Sequence, residues 1–534
     1  MKKAIISLAL MATTILLNAK MPAILSQAYS PEMTQWVDSV FNKLTPQERI
    51  GQIINKMFEA NDIEAAKAAV DEAVAKYHFG WAYCSIGPAQ HHAIIANYAN
   101  SVSRVPVAMT LDGEWGLAMR MPDTPRFPKN MMLGAIQDEE LLYEFGKEMA
   151  RECHEVGVNV NFAPVVDVNS NPLNPIIGLR SYGENPDNVA AKAILYAKGL
   201  ESGRVLSCAK HFPGHGDTDT DSHKTLPTVN RSYEQIMASD VPPFAAYINQ
   251  GLGAVMVAHL DIPALNTAGR PTSQTRSVAH GLLRDSLGFE GITFTDGLKM
   301  LGAHPNDEPN GLVSLLAGAD VLINPHRLEQ SFAELVMAYN NRSDVHAMID
   351  AACKKTLAYK YALGLNSYKP VNIDGMMERI NSPYALDLCR RMYEAAITVV
   401  KNDNNVLPLN ADDCMTVALG DADNIAKIAG GNDNAGNIVA AVFDVNDEVR
   451  RALSLLLDGA KGKKVTIVAF TIPYKLADIA DLVARCDACV VAYEAVESAQ
   501  FAAMKVISGN APALGRMSVS VEGVAKVGEG LSFK

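Results

Sequence analysis

Short apolar or β-branched runs alternate with longer segments of helical spacing through the first two-thirds of the chain. The apolar runs predict strands at Phe79–Cys84, Val105–Leu111, Val158–Val166, Val205–Ala209, Ala254–His259, Ile292–Thr295 and Asp320–Asn324. Between them, apolar positions recur three and four residues apart over Asp138–Val156, Pro186–Glu201 and Ser277–Leu287, which predicts helices. Ahead of the first strand, Thr45-Pro46-Gln47-Glu48 has the form of a capping box with proline at the first helical position. Ile50, Ile53, Ile54 and Met57 follow on one face, predicting a scaffold helix. Strand–helix alternation on this scale means a parallel sheet, either closed into a (β/α) barrel or open and doubly wound. Seven strands are countable, so closure to eight is an inference.

Beyond a helical stretch at Asp344–Leu363 the pattern changes. Residues 366–384, with their prolines and mixed polarity, read as a linker. A helix from Leu386 then leads into Ala396–Asp403. Short strands (Thr416–Leu419, Lys464–Phe470, Ala488–Ala492) alternate again with helices (Asp447–Leu456, Leu476–Ala484). The expected organisation is a barrel over 31–365, the linker, and a smaller α/β domain over 385–534. Residues 1–28 read as an export signal: Lys2 and Lys3 precede the apolar run Ala4–Leu17, which is too short to serve as a stable span, and small residues follow at Ala19 and at Ser26-Gln27-Ala28. With no later run of the length a bilayer requires, the expected product is soluble and outside the cytoplasm, periplasmic or extracellular.

Composition narrows the chemistry. A 534-residue chain that is 49% hydrophobic can pack two cores, and a net charge of −12 without a basic stripe argues against nucleic acid or an anionic membrane as partner. The 8 cysteines have no framework spacing. They read as core thiols, with Cys486-x-x-Cys489 as the one redox candidate.

The reactive side chains share a phase. Asp112, Asp167, Lys210 with His211, His259 and Asp296 each fall at or just past the C-terminal end of a different predicted strand, and barrel enzymes gather their chemistry on that rim. No glycine-rich phosphate loop follows any strand, which lowers the open-sheet alternative. The densest segment is Lys210-His211-Phe212-Pro213-Gly214-His215-Gly216-Asp217-Thr218-Asp219-Thr220-Asp221-Ser222-His223. Its alternating aspartates and three histidines allow a metal site. Equally, Asp221 and His223 share a face of an extended segment, so the carboxylate can orient the imidazole for acid/base work. A solvated acidic loop, made mobile by Gly214 and Gly216, is the plain alternative. Asp296 likewise reads either as a reactive carboxylate or as a cap on the helix that follows.

The segments Lys210–His223 and Thr295-Asp296-Gly297-Leu298-Lys299-Met300 together resemble glycoside hydrolase family 3, and within it the β-N-acetylglucosaminidase branch. Supporting matches are Asp112–Arg120, Asn161–Asp167, Gly178–Gly183, Met256–His259, Val399–Asp403 and Gly515–Val521. The resemblance implies a (β/α)8 barrel of the TIM type followed by a smaller α/β sandwich, with no metal or cofactor. It also implies a retaining double displacement with Asp296 as nucleophile and His223, oriented by Asp221, as general acid/base. Asp112, Arg120, Arg180, Lys210 and His211 would bind the sugar of the first subsite, with His259 and Met300 lining it. The expected activity is exo-β-N-acetylglucosaminidase on cell-wall fragments or related glycans. A β-glucosidase or β-xylosidase is the nearest alternative. Because a neutral imidazole does not repel an anion, a phosphorylase is also open; an inactive glycan-binding protein or a metal-dependent hydrolase would be the readings from other classes. Two departures from the branch, Trp115-Gly116-Leu117 after Glu114 and Gly297 after Asp296, leave the proposed catalytic groups in place, and Trp115 would add an aromatic surface for stacking.

Overall fold

The computed structural model describes residues 21–221, 224–420, 430–431 and 434–533. Among them, eight parallel strands form one sheet: β1 (Ile54–Phe58), β2 (Trp81–Cys84), β3 (Ala108–Leu111), β4 (Val160–Asn161), β5 (Leu206–Phe212), β6 (Ala254–Val257), β7 (Ile292–Thr295) and β8 (Leu322–Ile323). Their order in space is β7-β6-β5-β4-β3-β2-β1-β8. The remaining seam closes through a bridge between Phe294 and Val321, where the Thr295 N–H donates to the Val321 carbonyl at 3.0 Å. The sheet is therefore a (β/α)8 barrel.

The strand absent from the sequence reading is β1, and its residues had been assigned to a helix. The Thr45 capping box does form, with Glu48 N–H on Thr45 Oγ1 at 3.3 Å and Thr45 N–H on Glu48 Oε2 at 2.8 Å. The helix it starts ends at Gly51, where a Cβ would lie 2.2 Å from the Tyr77 carbonyl. Ile54–Phe58 then pairs with β2 on one side and β8 on the other. Residues 50, 53, 54 and 57 keep helical spacing only because a short buried helix abuts a buried strand; over so few residues periodicity cannot separate the two.

Inside the barrel, Phe294 meets Trp81 and Phe162 edge-on at centroid distances of 5.4 and 5.2 Å. Below them, Ile24 and Leu25 of the helix Ala23–Ala28, together with Pro31–Phe41 and Ser343–Ala362, join Leu206, Ala254 and Ile292 in one apolar cluster. That cluster seals the N-terminal mouth and leaves polar groups to the other. Of the stretch read as an export signal, residues 1–20 lie outside the described residues, while Ala23–Ala28 packs on the barrel, with the Ala23 N–H on the Gly251 carbonyl at 2.8 Å.

The second sheet comprises β9 (Thr398–Asn402), β10 (Cys414–Leu419), β11 (Gly430–Gly431), β12 (Asn437–Val442), β13 (Lys464–Ala469) and β14 (Ala488–Val491), ordered β11-β10-β12-β13-β14-β9. Strand β12 (Asn-Ile-Val-Ala-Ala-Val) is central and carries three β-branched residues, and the sequence reading passed over it. Residues 366–384 are a pinned strap: Met376 and Ile380 are buried, Arg379 pairs with Glu155 at 2.7 Å, and Asn97 Oδ1 accepts the Val371 N–H at 2.9 Å.

The second domain rests on the barrel rim. Buried Glu494 accepts from Arg126 at 2.8 Å and from the Lys129 N–H at 2.7 Å, Tyr474 Oη accepts from Asn169 Nδ2 at 2.9 Å, and Glu184 accepts from Ser520 Oγ at 2.6 Å. All 8 cysteines are buried and unpaired. Burial pushes the Cys486 thiol up to about 11 and raises Cys489 well above the ordinary thiol value, so the C-x-x-C belongs to the core and is unsuited to redox work.

Candidate active site

The C-terminal ends of the strands bring the expected rim residues into one network. Lys210 leaves β5 inside the barrel and donates to Asp112 Oδ1 at 2.7 Å, just past β3; Arg120 takes Asp112 Oδ2 at 2.8 Å. Lys210 also lies 2.9 Å from Glu114 Oε1. Arg180 closes the chain of charges with a two-pronged contact to Glu114, Nη2 to Oε1 at 2.7 Å and Nε to Oε2 at 2.9 Å. Glu114 stands in a motif the sequence reading quoted, but it was assigned no role. Its position shows one: it holds Lys210 and Arg180 together while itself being sealed from water, with a side-chain exposure of 0%. Nothing in the sequence separates it from a surface glutamate.

Burial alone would raise both carboxyls, but the cations outweigh it. Lys210 and Arg120 hold Asp112 far below the usual carboxylate range, and Arg180 with Lys210 brings Glu114 to about 2. All five groups are therefore charged at neutral pH. Such a network suits a ligand rich in hydroxyls, because each ionised group offers strong hydrogen bonds in fixed directions.

Asp167 is fully buried beside this network and orients the start of the histidine loop. It accepts from His211 Nδ1 at 2.7 Å, from the His211 N–H at 3.1 Å and from the His215 N–H at 2.8 Å. Arg180 Nη2 approaches His211 Nε2 at 3.3 Å, which places the ring proton on Nδ1. Downstream, His215 Nδ1 meets Thr218 Oγ1 at 2.9 Å and Ser170 Oγ donates to Asp217 at 3.2 Å. His211, His215 and Asp217 thus turn to separate partners. The two glycines read as a source of mobility serve close packing instead. A Cβ on Gly216 would sit 1.7 Å from the Val168 carbonyl, and Gly214, at φ +136°, would press one to 2.6 Å from Asp240 Cβ. Asp221 anchors the loop through its carbonyl, which accepts the Lys224 N–H at 2.9 Å. His223 lies outside the described residues.

Asp296 follows β7 and lines a cavity of about 680 Å³ together with Asp112, Arg120, Tyr83, Lys299 and Met300. Its Oδ1 accepts the Gly297 N–H at 2.7 Å. Burial opposes ionisation, yet His211, His259, that N–H and Lys210 hold the carboxyl below its ordinary value. It is an ionised, partly dehydrated carboxylate in the lining of that cavity, which is what a nucleophile at an electrophilic carbon requires. His259 is held by Ser273 Oγ at 2.7 Å and the Gly297 carbonyl at 3.1 Å; burial depresses its pKa, so it is a fixed wall beside Asp296. Trp115 is not among the residues lining the cavity. Lys129 Nζ lies over its ring, 5.4 Å from the centroid.

Residues 45–358 match the family model described as the glycosyl hydrolase family 3 N terminal domain. The chain is similar to beta-hexosaminidase A of Pseudoalteromonas piscicida, 32% identical over 375 residues, which is 64% of this chain and 62% of that protein. Among solved structures, it resembles the beta-glucoside phosphorylase BglX bound to 2FGlc, with a TM-score of 0.79 and 21% identity over 93% of this chain and 98% of that one. It also resembles a family 3 beta-N-acetylglucosaminidase from Paenibacillus sp. str. FPU-7, with a TM-score of 0.76 and 23% identity over 90% of this chain and all of that one. At those identities the two structures speak for the fold. With the family model covering more than half of its length, a barrel rim of the expected composition and an ionised aspartate after β7, this chain belongs to glycosyl hydrolase family 3.

Proposed function

We propose that the chain is a retaining exo-β-N-acetylglucosaminidase that releases terminal β-linked N-acetylglucosamine from cell-wall fragments or related glycans outside the cytoplasm. The observation that supports this most directly is the Asp296 carboxylate, held ionised in a cavity that Asp112 and Arg120 also line, with Lys210 paired to Asp112 behind them.

In the proposed reaction Asp296 attacks the anomeric carbon as the bond from that carbon to the leaving oxygen breaks. His223, oriented by Asp221, gives its proton to that oxygen. Water then enters from the side the leaving group vacated, His223 takes its proton, and the new C–O bond displaces Asp296. Two inversions return the original anomeric configuration. Lys210, Asp112, Arg120, Arg180 and His211 hold the sugar hydroxyls. Met300 and His259 shape the wall around the reacting carbon.

A set of nitrophenyl β-glycosides tests the sugar. The N-acetylglucosaminide is expected to be cleaved at least tenfold better than the glucoside or xyloside, about 1.4 kcal/mol of transition-state binding, and a tenfold preference for glucoside would reverse the assignment. The same assay with added inorganic phosphate separates the two acceptors. Hydrolysis gives free sugar at unchanged rate, whereas a phosphorylase would form the sugar 1-phosphate. Turnover is expected to survive a chelator, as neither step uses a metal.

His223→Ala is expected to lose about 10²-fold in kcat on a substrate whose leaving group needs protonation, and much less on a nitrophenolate. Equal losses on both substrates would count against an acid role for His223.

A further inference from the structure

Tyr83 lines the cavity beside Asp296, yet the reaction proposed above gives it no part. Its place follows from the strand that carries it. Side chains two apart on a strand share a face. On β2 the residue two before Tyr83 is Trp81, buried inside the barrel against Phe294. Tyr83 therefore points the same way, one layer nearer the C-terminal mouth. Trp81, Phe162 and Phe294 make the aromatic layer beneath, and Tyr83 packs against the cluster that contains them. Around it in the cavity wall stand Asp112 after β3, Asp296 after β7 and Asn324 after β8.

These surroundings fix the state of the hydroxyl. Burial, Asp112 and Asp296 raise the phenol far above its ordinary value, and Arg120 and Asn324 offset this only in part. The group is thus a neutral O–H, able to donate, throughout the neutral range. Asn324 acts on the phenol oxygen as a hydrogen-bond donor. It is buried and sits at φ +47°, a posture that asparagine tolerates better than most residues, with its N–H on the Asn55 carbonyl at 2.7 Å. A phenol oxygen that accepts from an amide keeps its own proton to give elsewhere.

The cavity is where that proton has work. Asp112 has a cation on each oxygen, Lys210 at 2.7 Å and Arg120 at 2.8 Å. Asp296 has the Gly297 N–H on Oδ1 and needs an oxygen free for attack. A hydroxyl set between a carboxylate that binds sugar and one that attacks it faces the sugar ring itself.

We propose that Tyr83 is a further catalytic residue, whose hydroxyl donates a hydrogen bond to one hydroxyl of the sugar in the first subsite and keeps it through the transition state. This rests on Asp296 as the nucleophile of that subsite, because nearness to Asp296 is what sets the phenol against the reacting ring. A packed phenol is a stiff arm with few torsions, so its direction is set before the sugar arrives. Removing its oxygen leaves a sugar hydroxyl unpaired where the partner was built in, a loss that discriminates strongly. In the sequence, a tyrosine within a short apolar strand reads as core, which is why it drew no notice.

Kinetics of Tyr83→Phe test the assignment. Phenylalanine keeps the ring on the aromatic layer and removes a single oxygen, so the fold is preserved. The substrate is whichever of the nitrophenyl N-acetylglucosaminide, glucoside and xyloside the parent cleaves best, so an error in the sugar preference does not reach this test. kcat/KM is expected to fall about 10- to 100-fold, with most of the loss in kcat. Analogues of that substrate lacking one ring hydroxyl each then locate the contact. One of them is expected to cost the parent activity but to cost the variant nothing further, since the missing hydroxyl and the phenol were each other's partners. A variant within about twofold of the parent, or independent losses with every analogue, overturns the proposal. The second of these outcomes would assign the phenol to holding Asp296. Asp296→Asn, measured alongside, keeps the two readings apart: its unimpaired turnover would remove the nucleophile, whereas the pairing of Tyr83 with a sugar hydroxyl is decided by the analogues alone.

Discussion

Asp296→Asn is expected to lower kcat/KM by about 10⁴-fold, ~5.5 kcal/mol of lost transition-state stabilisation, with the fold intact. Asparagine keeps the size of the side chain and can still accept the Gly297 N–H, so the 2.7 Å contact that fixes the carboxylate has a substitute. What disappears is the negative charge that His211, His259 and Lys210 face. If Asp296 merely capped the following segment, the same variant would remain within tenfold of the parent, since amide and carboxylate cap about equally well. Kinetics on the nitrophenyl N-acetylglucosaminide make this comparison. Asp296→Gly with added azide extends it, because an anion admitted to the vacated space should yield a glycosyl azide of inverted configuration, recognisable by NMR. Recovery of a retained product instead would assign the nucleophile elsewhere.

The second large effect lies in stability. Glu114→Ala is expected to destabilise the chain by about 3–5 kcal/mol, as removing the shared anion leaves Lys210 and Arg180 buried against each other. The sign of its pH dependence follows from the direction of the shift. The Glu114 carboxyl is depressed from 4.5 to about 2 in the folded chain, so its contribution is complete above about 4.5 and is lost as pH falls through about 2. The gap between parent and variant in chemical denaturation should be full at neutral pH and narrow on acidification across that window. A gap independent of pH would mean that packing, and not charge, makes Glu114 necessary. Affinity for the sugar should fall as well, because Arg180 then loses the two-pronged contact that aims it.

The outcome at residues 45–58 shows where reading by pattern stops. The capping box was legible because its two hydrogen bonds are local, between residues three apart. The end of that helix was not, since it depends on Tyr77 and His78 crowding Gly51, and the strand after it exists only because β2 and β8 stand on either side. Strand β12 is a different case: Ile438, Val439 and Val442 carry a local strand signal that was overlooked, and pairing with β10 and β13 places it at the centre of the sheet. The rim residues fared better. Asp112, Lys210, His211, His259 and Asp296 each follow or end a strongly apolar run, and barrel geometry carries such positions to one face.

What the sequence by itself determined is the alternation that makes a parallel barrel and the placing of reactive side chains at strand ends, because period and order along the chain are local properties. The ionisation of Asp296, the role of Glu114 and the close packing of Gly214 and Gly216 were decided by tertiary structure alone. Each depends on groups far apart in the chain arriving within a few ångströms in a place without water, where a neighbouring charge or an unpaired nitrogen counts for kilocalories and no longer for tenths.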